Sequence, residues 1–294
     1  MESFTDKRVA YLGPAGTFSE QAVRRFFGRE AEALPQVNFD EVLNCVERAE
    51  VDYGLIAIEN NTTGTVTHAL DLLLERPLSI VGEVSVPVVH NLMNLSGTLR
   101  SVRRVYAHAQ ALGQCRGWLR SHLPEAQTIA VSSNAEGARL ASEDPEAAGI
   151  AALEAASIYG LKTVAQGIQD GFGNRTRFLV MSREPEKILD CVRQRKTSIV
   201  FSVANEPGSL YRILFPLAEN SVQMVRIESR PARNGNWEYN FFIDLACAED
   251  DPPLARALET MRAEATYLRV LGSYPVLGEE APAHFFRRFS WQTI

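Results

Sequence analysis

The sequence predicts an α/β protein made of two domains. Its 294 residues amount to about two domains of ordinary size, and 46% of them are hydrophobic, which is enough to form substantial cores. From residue 7 to about residue 182, short apolar runs alternate with helical patterns. The order and spacing of the predicted elements change after a polar segment, Glu184-Pro185-Glu186-Lys187, which indicates a domain boundary.

The first domain is predicted over residues 7–183. Its helices are predicted at 18–27 and 41–49, and its strands at 9–12, 54–58, 78–81, 86–92, 102–106, 128–131, 149–152 and 178–181. Such alternation is typical of parallel sheets with helices on both faces. Because it extends over so many residues, we expect two lobes with a cleft between them.

The second domain is predicted over residues 197–275 and has a different element order. Its strands are predicted at 197–204, 222–230, 237–246 and 267–274, and its helices at 208–220 and 254–265. This order, βαββαβ, is the ferredoxin-like arrangement. Asn234-Gly235 between the two middle strands is a strong hairpin signal. Residues 276–294 form an aromatic tail without a predicted role.

Charge and composition argue against several function classes. A net charge of −6 offers no basic surface for nucleic acid or an acidic membrane. The first eight residues contain no apolar signal region, and no segment is long and apolar enough to cross a membrane, so we expect a cytoplasmic protein. The four cysteines lie dozens of residues apart and the five histidines form no HExxH pattern, so we expect free thiols and no metal site.

The segment Asn174-Arg175-Thr176-Arg177-Phe178 combines an amide, two guanidinium groups, a hydroxyl and an aromatic ring before an apolar strand. Open α/β folds place their ligands at strand ends, and arginine recognises planar carboxylates through paired hydrogen bonds. The five residues alone fit an anion site. They fit equally a solvated loop in which Thr176 caps the strand.

Four further polar segments follow predicted strands. They are Gly13-Pro14-Ala15-Gly16-Thr17-Phe18-Ser19-Glu20, Glu59-Asn60-Asn61-Thr62-Thr63-Gly64-Thr65-Val66, His108-Ala109-Gln110 and Ser132-Ser133-Asn134. In the first segment, Thr17 and Glu20 have capping-box spacing, and the small residues leave helix-terminal N–H groups open to an anion. Each segment can also be a simple helix cap or a solvated loop. Because strand ends converge in open α/β folds, we expect all of them to line one crevice.

Taken in order, these motifs resemble prephenate dehydratase over nearly the whole chain. Residues 11–19 resemble the family's N-terminal motif, Ile58-Glu59-Asn60 with Gly64 its second motif, residues 108–112 its third, and Thr176-Arg177-Phe178 its signature. Gly208-Ser209-Leu210-Tyr211 and Glu228-Ser229-Arg230-Pro231 resemble the paired motifs of a phenylalanine-binding ACT domain. The resemblance implies a two-lobed, periplasmic-binding-protein-like catalytic domain followed by an ACT domain.

Three departures from the family pattern are visible. Asn61-Thr62-Thr63 replaces a serine followed by an acidic residue, and Ala109 replaces a proline found in many relatives. The helical chorismate mutase segment of fused relatives is absent from the sequence, so mutase activity is not expected.

The resemblance implies a reaction that converts prephenate to phenylpyruvate, carbon dioxide and water in phenylalanine biosynthesis. Because aromatisation drives the reaction, no cofactor is expected. The resemblance makes Thr176 the key catalytic residue. A threonine hydroxyl is a poor acid compared with a carboxyl group of pKa about 4.3, so we expect it to hydrogen-bond the departing oxygen. Glu59 and His108 are alternative proton sources.

The other site residues are assigned through the same resemblance. Arg177 is expected to bind a substrate carboxylate or to brace the cleft, and Phe178 to pack against the ring or exclude water. The predicted substrate-binding residues are Gly13, Pro14, Ala15, Gly16, Thr17, Phe18, Ser19, Asn60, Asn61, Gly64, Gln110, Ser133 and Asn174. The predicted allosteric phenylalanine-binding residues are Asn205, Gly208, Ser209, Leu210, Glu228, Ser229, Arg230 and Pro231.

ACT domains pair side by side, so we expect a homodimer or homotetramer that phenylalanine inhibits. An ACT domain that only dimerises is the alternative. Two other functions stay open at this point: an arogenate or dual-substrate dehydratase, and a non-enzymatic amino-acid sensor built from a binding-protein-like cleft and an ACT domain.

Overall fold

A computed structural model describes residues 4–185, 192, 194–232 and 238–278 of the chain. The strands are β1 (Arg8–Leu12), β2 (Glu32–Gln36), β3 (Tyr53–Asn60), β4 (Gly64–Thr65), β5 (Ser79–Pro87), β6 (Asn91–Asn94), β7 (Arg104–His108), β8 (Gln127–Val131), β9 (Ala147–Ala151), β10 (Lys162–Ala165), β11 (Arg175–Ser182), β12 (Arg195–Ser202), β13 (Met224–Pro231), β14 (Tyr239–Leu245) and β15 (Tyr267–Leu277). The helices are α1 (Phe18–Phe27), α2 (Phe39–Glu47), α3 (Thr67–Glu75), α4 (Ala109–Gln114), α5 (Arg116–His122), α6 (Asn134–Glu143), α7 (Leu153–Ile158), α8 (Ser209–Glu219) and α9 (Pro252–Glu264).

The chain divides into two compact units. The N-terminal unit comprises Phe4–Ala69 and Ser85–Phe178, and the C-terminal unit comprises Leu70–Val84 and the described residues from Leu179 onward. Helix α3 and strands β5 and β11 therefore contribute residues to both units. The domain bounds 7–183 and 197–275 stay a prediction.

The first sheet of the N-terminal unit is centred on β1. Strand β1 pairs in parallel with β2 on one side and β3 on the other, and the sheet runs β11-β3-β1-β2. Helix α1 covers the predicted residues and buries Val23, Phe26 and Phe27. Strand β2 was not predicted because Pro35 interrupts its pattern. A proline is tolerated there because β2 is the edge strand of the sheet.

The second sheet of the N-terminal unit is mixed. It runs β10-β6-β9-β7-β8, with β7 parallel to β8 and β9. Strand β6 is antiparallel to β9 and β10, so the expectation of purely parallel sheets is wrong for these strands.

The strands predicted at 78–81 and 86–92 are also wrong in their bounds. A continuous strand, β5, runs from Ser79 to Pro87, and a separate strand follows at Asn91–Asn94. Glu83 lies in the middle of this strand, is 2% exposed, and has its carboxylate 2.7 Å from the Lys196 Nζ. An ion pair inside the C-terminal unit thus lets the strand continue through a charged residue.

The C-terminal unit contains the predicted βαββαβ order. Its antiparallel strands lie in the order β13-β14-β12-β15, and α8 and α9 pack on one face around Ile199, Phe201 and Ile243. Strand β15 also pairs in parallel with β5 within this unit. The Asn234-Gly235 hairpin signal and the tail beyond Gly278 lie outside the described residues.

Within the described residues, no helix combines the length and apolar character needed to span a membrane. The same residues include no group of three or more His, Cys, Asp or Glu side chains suited to a metal ion. Cys45 and Cys115 are buried free thiols, as expected, and burial raises the pKa of Cys115 to about 12. Cys191 lies outside the described part of the chain.

Candidate active site

The candidate active site lies where the end of β3 meets the start of β11, in the N-terminal unit. The Asn61 N–H donates to the Arg175 carbonyl at 3.0 Å, and the Val88 N–H donates to the Asn174 carbonyl at 2.8 Å. The Thr176-Arg177-Phe178 signature is therefore part of the strand, which begins at Arg175 and not at 178 as predicted. Arg175 and Arg177 interrupt the apolar pattern, so the first residues of this strand carry no strand signal in the sequence.

Alternation along β11 and β3 separates the polar side chains onto two faces. Side chains in a strand point alternately to opposite faces of the sheet, so Thr176 and Arg177 face opposite ways. On one face, the Asn60 Nδ2 lies 2.9 Å from the Thr176 Oγ1. On the other, the Arg177 Nη1 lies 2.7 Å from the Glu59 Oε2.

The ion pair changes the roles expected for Glu59 and Arg177, two of the predicted catalytic residues. Glu59 lies on the opposite face from the Thr176 hydroxyl, so its predicted use as a proton source for that hydroxyl does not fit this geometry. Arg177 already binds the Glu59 carboxylate, and both side chains are largely buried. Of the two roles expected for Arg177, the arrangement favours bracing the sheet over binding a substrate carboxylate.

Backbone groups fix the orientation of the Asn60 amide. Its Oδ1 accepts the backbone N–H groups of Thr62 at 3.0 Å and Thr63 at 3.1 Å. A backbone N–H can only donate, so the amide oxygen must face this turn and the amide nitrogen must face β11. That nitrogen also lies 2.7 Å from the Asn174 Oδ1 and 3.0 Å from the Arg175 carbonyl.

The orientation of Asn60 decides what the Thr176 hydroxyl can do. Because the Asn60 nitrogen donates, the Thr176 oxygen is the acceptor of that bond. The described residues offer no acceptor for the Thr176 O–H itself. Thr176 is partly exposed, so its O–H is available to a ligand oxygen. A hydroxyl that accepts one hydrogen bond becomes a better donor of the next.

Two side chains that the sequence did not single out extend this network. The Asn174 Nδ2 donates to the Gln114 Oε1 at 3.2 Å, and the His90 Nε2 lies 2.8 Å from the same oxygen. Gln114 stands four residues after the predicted Gln110, so helical spacing in the third motif is a signal for it. His90 carries no such local signal.

The opening segment mainly forms the start of α1. The Thr17 Oγ1 accepts the Glu20 N–H at 3.3 Å, and a Glu20 carboxylate oxygen accepts the Gly16 N–H at 2.8 Å. The capping-box prediction is thus confirmed in substance. The Gly16 N–H that was expected to bind an anion is occupied by this carboxylate. Ser19 is buried, and the Ala15 carbonyl accepts the Tyr159 hydroxyl at 2.9 Å.

Several other predicted residues also serve as caps or turns. The His108 Nδ1 accepts the Gln110 N–H at 3.3 Å as the cap of α4, and the Ser133 Oγ accepts the Glu136 N–H at 3.0 Å as the cap of α6. The Gln110 Nε2 reaches the Thr63 Oγ1 at 3.4 Å. The geometry thus brings Gln110 to the Asn60 turn, but it joins neither His108 nor Ser133 to Thr176 through a side-chain hydrogen bond.

The remaining predicted residues support the strand ends. The Asn61 Oδ1 accepts the Arg175 N–H at 2.9 Å, and Gly64 occupies the turn into β4 with a φ of +85° that favours glycine. Phe178 is 2% exposed, so its ring lies in the core below Thr176 and does not fit direct stacking on a ligand. Gly13 and Pro14 stand beside the Thr17 cap and are partly or fully exposed.

In the C-terminal unit, the predicted phenylalanine-binding segments are exposed except for Ser209, Glu228 and Arg230. The exposed members are Asn205, Gly208, Leu210, Ser229 and Pro231. Gly208 has a φ of +80° and precedes α8. The Arg230 guanidinium binds both oxygens of Asp71 at 2.9–3.1 Å, so the side chain predicted to bind phenylalanine is engaged by α3 instead.

The fold and the site together define an α/β enzyme with an appended regulatory-type domain. A family model described as Prephenate dehydratase matches residues 9–186, and one described as ACT domain matches residues 197–262. The chain belongs to the prephenate dehydratase family and carries an ACT domain. The predicted family, enzyme class and fold class are thereby confirmed, and the sensor alternative loses its support.

Relatives and solved structures agree with this assignment. The bifunctional chorismate mutase/prephenate dehydratase of Stutzerimonas stutzeri is 42% identical over 270 residues, which cover 91% of this chain and 73% of that protein. The prephenate dehydratase of Arthrobacter aurescens, solved in complex with L-Phe, is 34% identical with a TM-score of 0.82, covering 91% of this chain and 89% of that one. GqqA, described as a novel type of quorum quenching acylase, is 30% identical with a TM-score of 0.84, covering 96% and 100%.

Proposed function

We propose that this protein converts prephenate to phenylpyruvate, carbon dioxide and water, with Thr176 as the catalytic hydroxyl and phenylalanine as the effector. The observation that carries the proposal is the polarity of the Asn60–Thr176 hydrogen bond. Asn60 donates to the Thr176 oxygen at 2.9 Å, which leaves the Thr176 hydrogen available to an oxygen of the substrate.

The reaction needs little chemistry from the protein beyond positioning and charge stabilisation. The bond between the ring and its carboxylate breaks, and that electron pair completes the aromatic ring while the ring hydroxyl departs with its own electron pair. The departing hydroxide takes up one proton from solvent to become water. Holding the ring in the reactive geometry lowers the barrier by converting the event into a unimolecular fragmentation.

Thr176 acts on the departing oxygen. Negative charge develops on that oxygen as the carbon–oxygen bond lengthens, and a prealigned hydrogen-bond donor in a partly buried site stabilises it by about 3 kcal/mol. A threonine hydroxyl is too weak an acid to release its proton outright, so the O–H stabilises the leaving group by hydrogen bonding. Asn60 is the positioning residue because it occupies the acceptor side of the hydroxyl.

The residues on the opposite face support the strand that carries Thr176. The Arg177–Glu59 pair ties β11 to β3 on that face. Phe178, two residues after Thr176, lies on the same face of the strand as Thr176, and its buried ring fixes the strand in the core. Both roles are structural, so we propose that substitutions there act through the position of Thr176 and not through contact with the substrate.

Regulation is proposed to enter through the ACT domain. The relative from Arthrobacter aurescens is solved with L-Phe, and the exposed segments around Gly208 and Ser229 are the proposed phenylalanine site of this chain. Inhibition requires that phenylalanine bind a low-activity state more tightly than the active state. Strand β13 holds α3 through the Arg230–Asp71 pair, and α3 follows the Asn60–Gly64 turn and the short strand β4 along the chain. We propose that the Arg230–Asp71 pair connects phenylalanine binding to the Asn60–Gly64 turn.

Exposed apolar side chains of the ACT domain support a homo-oligomer. Tyr211 and Phe215 on α8 are 69% and 47% exposed, and Val225 and Ile227 on β13 are 49% and 42% exposed. The Tyr211 and Phe215 rings lie 5.9 Å apart, and exposed large apolar side chains are frequent at subunit interfaces. We therefore propose that two copies pair through this domain, in a dimer or a tetramer.

Steady-state turnover of prephenate, followed as phenylpyruvate formation, tests the proposal. Parallel assays with arogenate, followed as phenylalanine formation, and with added phenylalanine separate the substrate alternatives and the regulation. Faster turnover of arogenate than of prephenate would favour the arogenate dehydratase alternative. Turnover of neither substrate by folded protein would overturn the proposed function.

A further inference from the structure

His90 is a buried histidine that no motif of the sequence assigned. It is 2% exposed and immediately precedes β6. Its backbone N–H donates to the Gln169 Oε1 at 3.0 Å, and its ring lies 5.9 Å from the Phe18 ring in an edge-on arrangement. Its Nε2 lies 2.8 Å from the Gln114 Oε1. The ring thus lies between Phe18 of α1 and Gln114 of α4.

A chain of amides determines which His90 nitrogen carries the proton. The turn at Thr62 and Thr63 fixes the Asn60 oxygen, so the Asn60 nitrogen donates to the Asn174 oxygen. The Asn174 nitrogen must then donate, and it meets the Gln114 oxygen at 3.2 Å.

Gln114 therefore presents an oxygen to His90, and an oxygen can only accept. The imidazole must carry its hydrogen on Nε2.

The other His90 nitrogen has no partner. Within the described residues, the Nδ1 is buried without a hydrogen-bond partner. In the neutral ring, the Nδ1 lone pair lacks one hydrogen bond. In the protonated ring, Nδ1 would carry an unpaired N–H and the ring a positive charge, both buried in the interior, which costs more free energy. The site therefore holds a neutral imidazole and opposes the charged form.

We propose that His90 is a positioning residue of the dehydration reaction: by donating its Nε2–H to Gln114, it holds the amide chain that orients Thr176. The proposal rests on the proposed function, because its effect on rate requires Thr176 to be the catalytic hydroxyl. Neither ring nitrogen is assigned a proton transfer. His90 acts only through Gln114, Asn174 and Asn60.

The surroundings of His90 are uncharged, which favours its neutral form. The side chains that face it are Phe18 from α1, Gln114 from α4 and Gln169 from the segment after β10. Burial lowers the pKa of His90, and the hydrogen bond to Gln114 opposes this effect more weakly. Protonation would add a hydrogen at Nδ1 and would leave the Nε2–H bond to Gln114 in place, so the amide chain does not depend on pH through this bond.

The test compares His90→Leu with His90→Gln, which returns an amide N–H near the Nε2 position. We expect His90→Leu to lower kcat by about tenfold or more with KM nearly unchanged, and His90→Gln to recover most of kcat. His122→Gln, at an exposed ring stacked on Trp118, is the control and should leave kcat unchanged. Equal losses in both His90 variants would overturn the role.

A readout without turnover separates this proposal from the proposed function. Imidazole ¹⁵N NMR of the wild-type protein should show His90 as the neutral Nε2–H tautomer at pH 7, with a pKa below about 6.5. An Nδ1–H tautomer or a higher pKa would overturn the inference even if prephenate turnover is observed. The expected tautomer without turnover of prephenate would leave the amide chain supported and refute the catalytic assignment.

Discussion

Replacing Asn60 by aspartate should reverse the polarity of the hydrogen bond that prepares Thr176. One oxygen of the introduced carboxylate can still accept the N–H groups of Thr62 and Thr63, so the turn keeps its partners. The other oxygen then faces the Thr176 hydroxyl where a donor stood before. The Thr176 O–H will donate to this carboxylate and will no longer be available to the substrate.

The size of the effect follows from the two bonds involved. A hydrogen bond to a charged acceptor contributes about 1.5–3 kcal/mol, and the reaction must break it before Thr176 can turn to the departing oxygen. If the hydroxyl stays on the introduced carboxylate, the lost transition-state bond costs about 3 kcal/mol. Since 1.36 kcal/mol corresponds to about tenfold in rate, the first route predicts a kcat lowered by about one to two orders of magnitude, and the second predicts a loss of about two.

The assay is steady-state formation of phenylpyruvate from prephenate, with circular dichroism to confirm the fold. Asn38→Asp is the matched control, because Asn38 caps α2 through its Oδ1, is exposed and tolerates the same chemical change. The control should keep the wild-type kcat. A folded Asn60→Asp enzyme with more than about a tenth of the wild-type kcat would refute the assignment of Asn60 as donor.

Two further predictions concern the C-terminal unit. Glu83→Gln removes the charged partner of the largely buried Lys196 and should lower the free energy of unfolding by about 3 kcal/mol in denaturant titrations. Glu50→Gln, the control at an exposed ion pair, should change the free energy of unfolding by less than about 1 kcal/mol. Equal effects of the two substitutions would contradict the importance of burial. Asp71→Asn weakens the bidentate contact with Arg230. Calorimetry should show that phenylalanine still binds, while phenylalanine inhibits prephenate turnover less than in the wild type. Unchanged inhibition would exclude the Arg230–Asp71 pair as the connection between the phenylalanine site and the Asn60 turn.

The fold was largely predictable because its signals are local. The rhythm of apolar runs identified α1 and the βαββαβ order of the C-terminal unit, since both depend on residues close in sequence. Strand β2 was missed because Pro35 is acceptable only at an edge position. The continuity of β5 was missed because Glu83 is compensated by Lys196, which lies 113 residues away.

The candidate site was predictable as a set of motifs, but not as a geometry. Resemblance identified Thr176, whereas the direction of its hydrogen bond depends on how the Asn60 amide is held by a neighbouring turn. Strand alternation places Glu59 on the face away from Thr176 once both strands are known. The pairing of Arg230 with Asp71, 159 residues apart, has no local signature.

The most direct measurement of the central claim is kcat for Thr176→Val and Thr176→Ser with prephenate. Valine nearly preserves the shape of threonine but lacks the hydroxyl, whereas serine keeps it. The account predicts that Thr176→Val loses about two orders of magnitude or more in kcat while Thr176→Ser stays within about tenfold of the wild type. A folded Thr176→Val enzyme within tenfold of the wild-type kcat would contradict it.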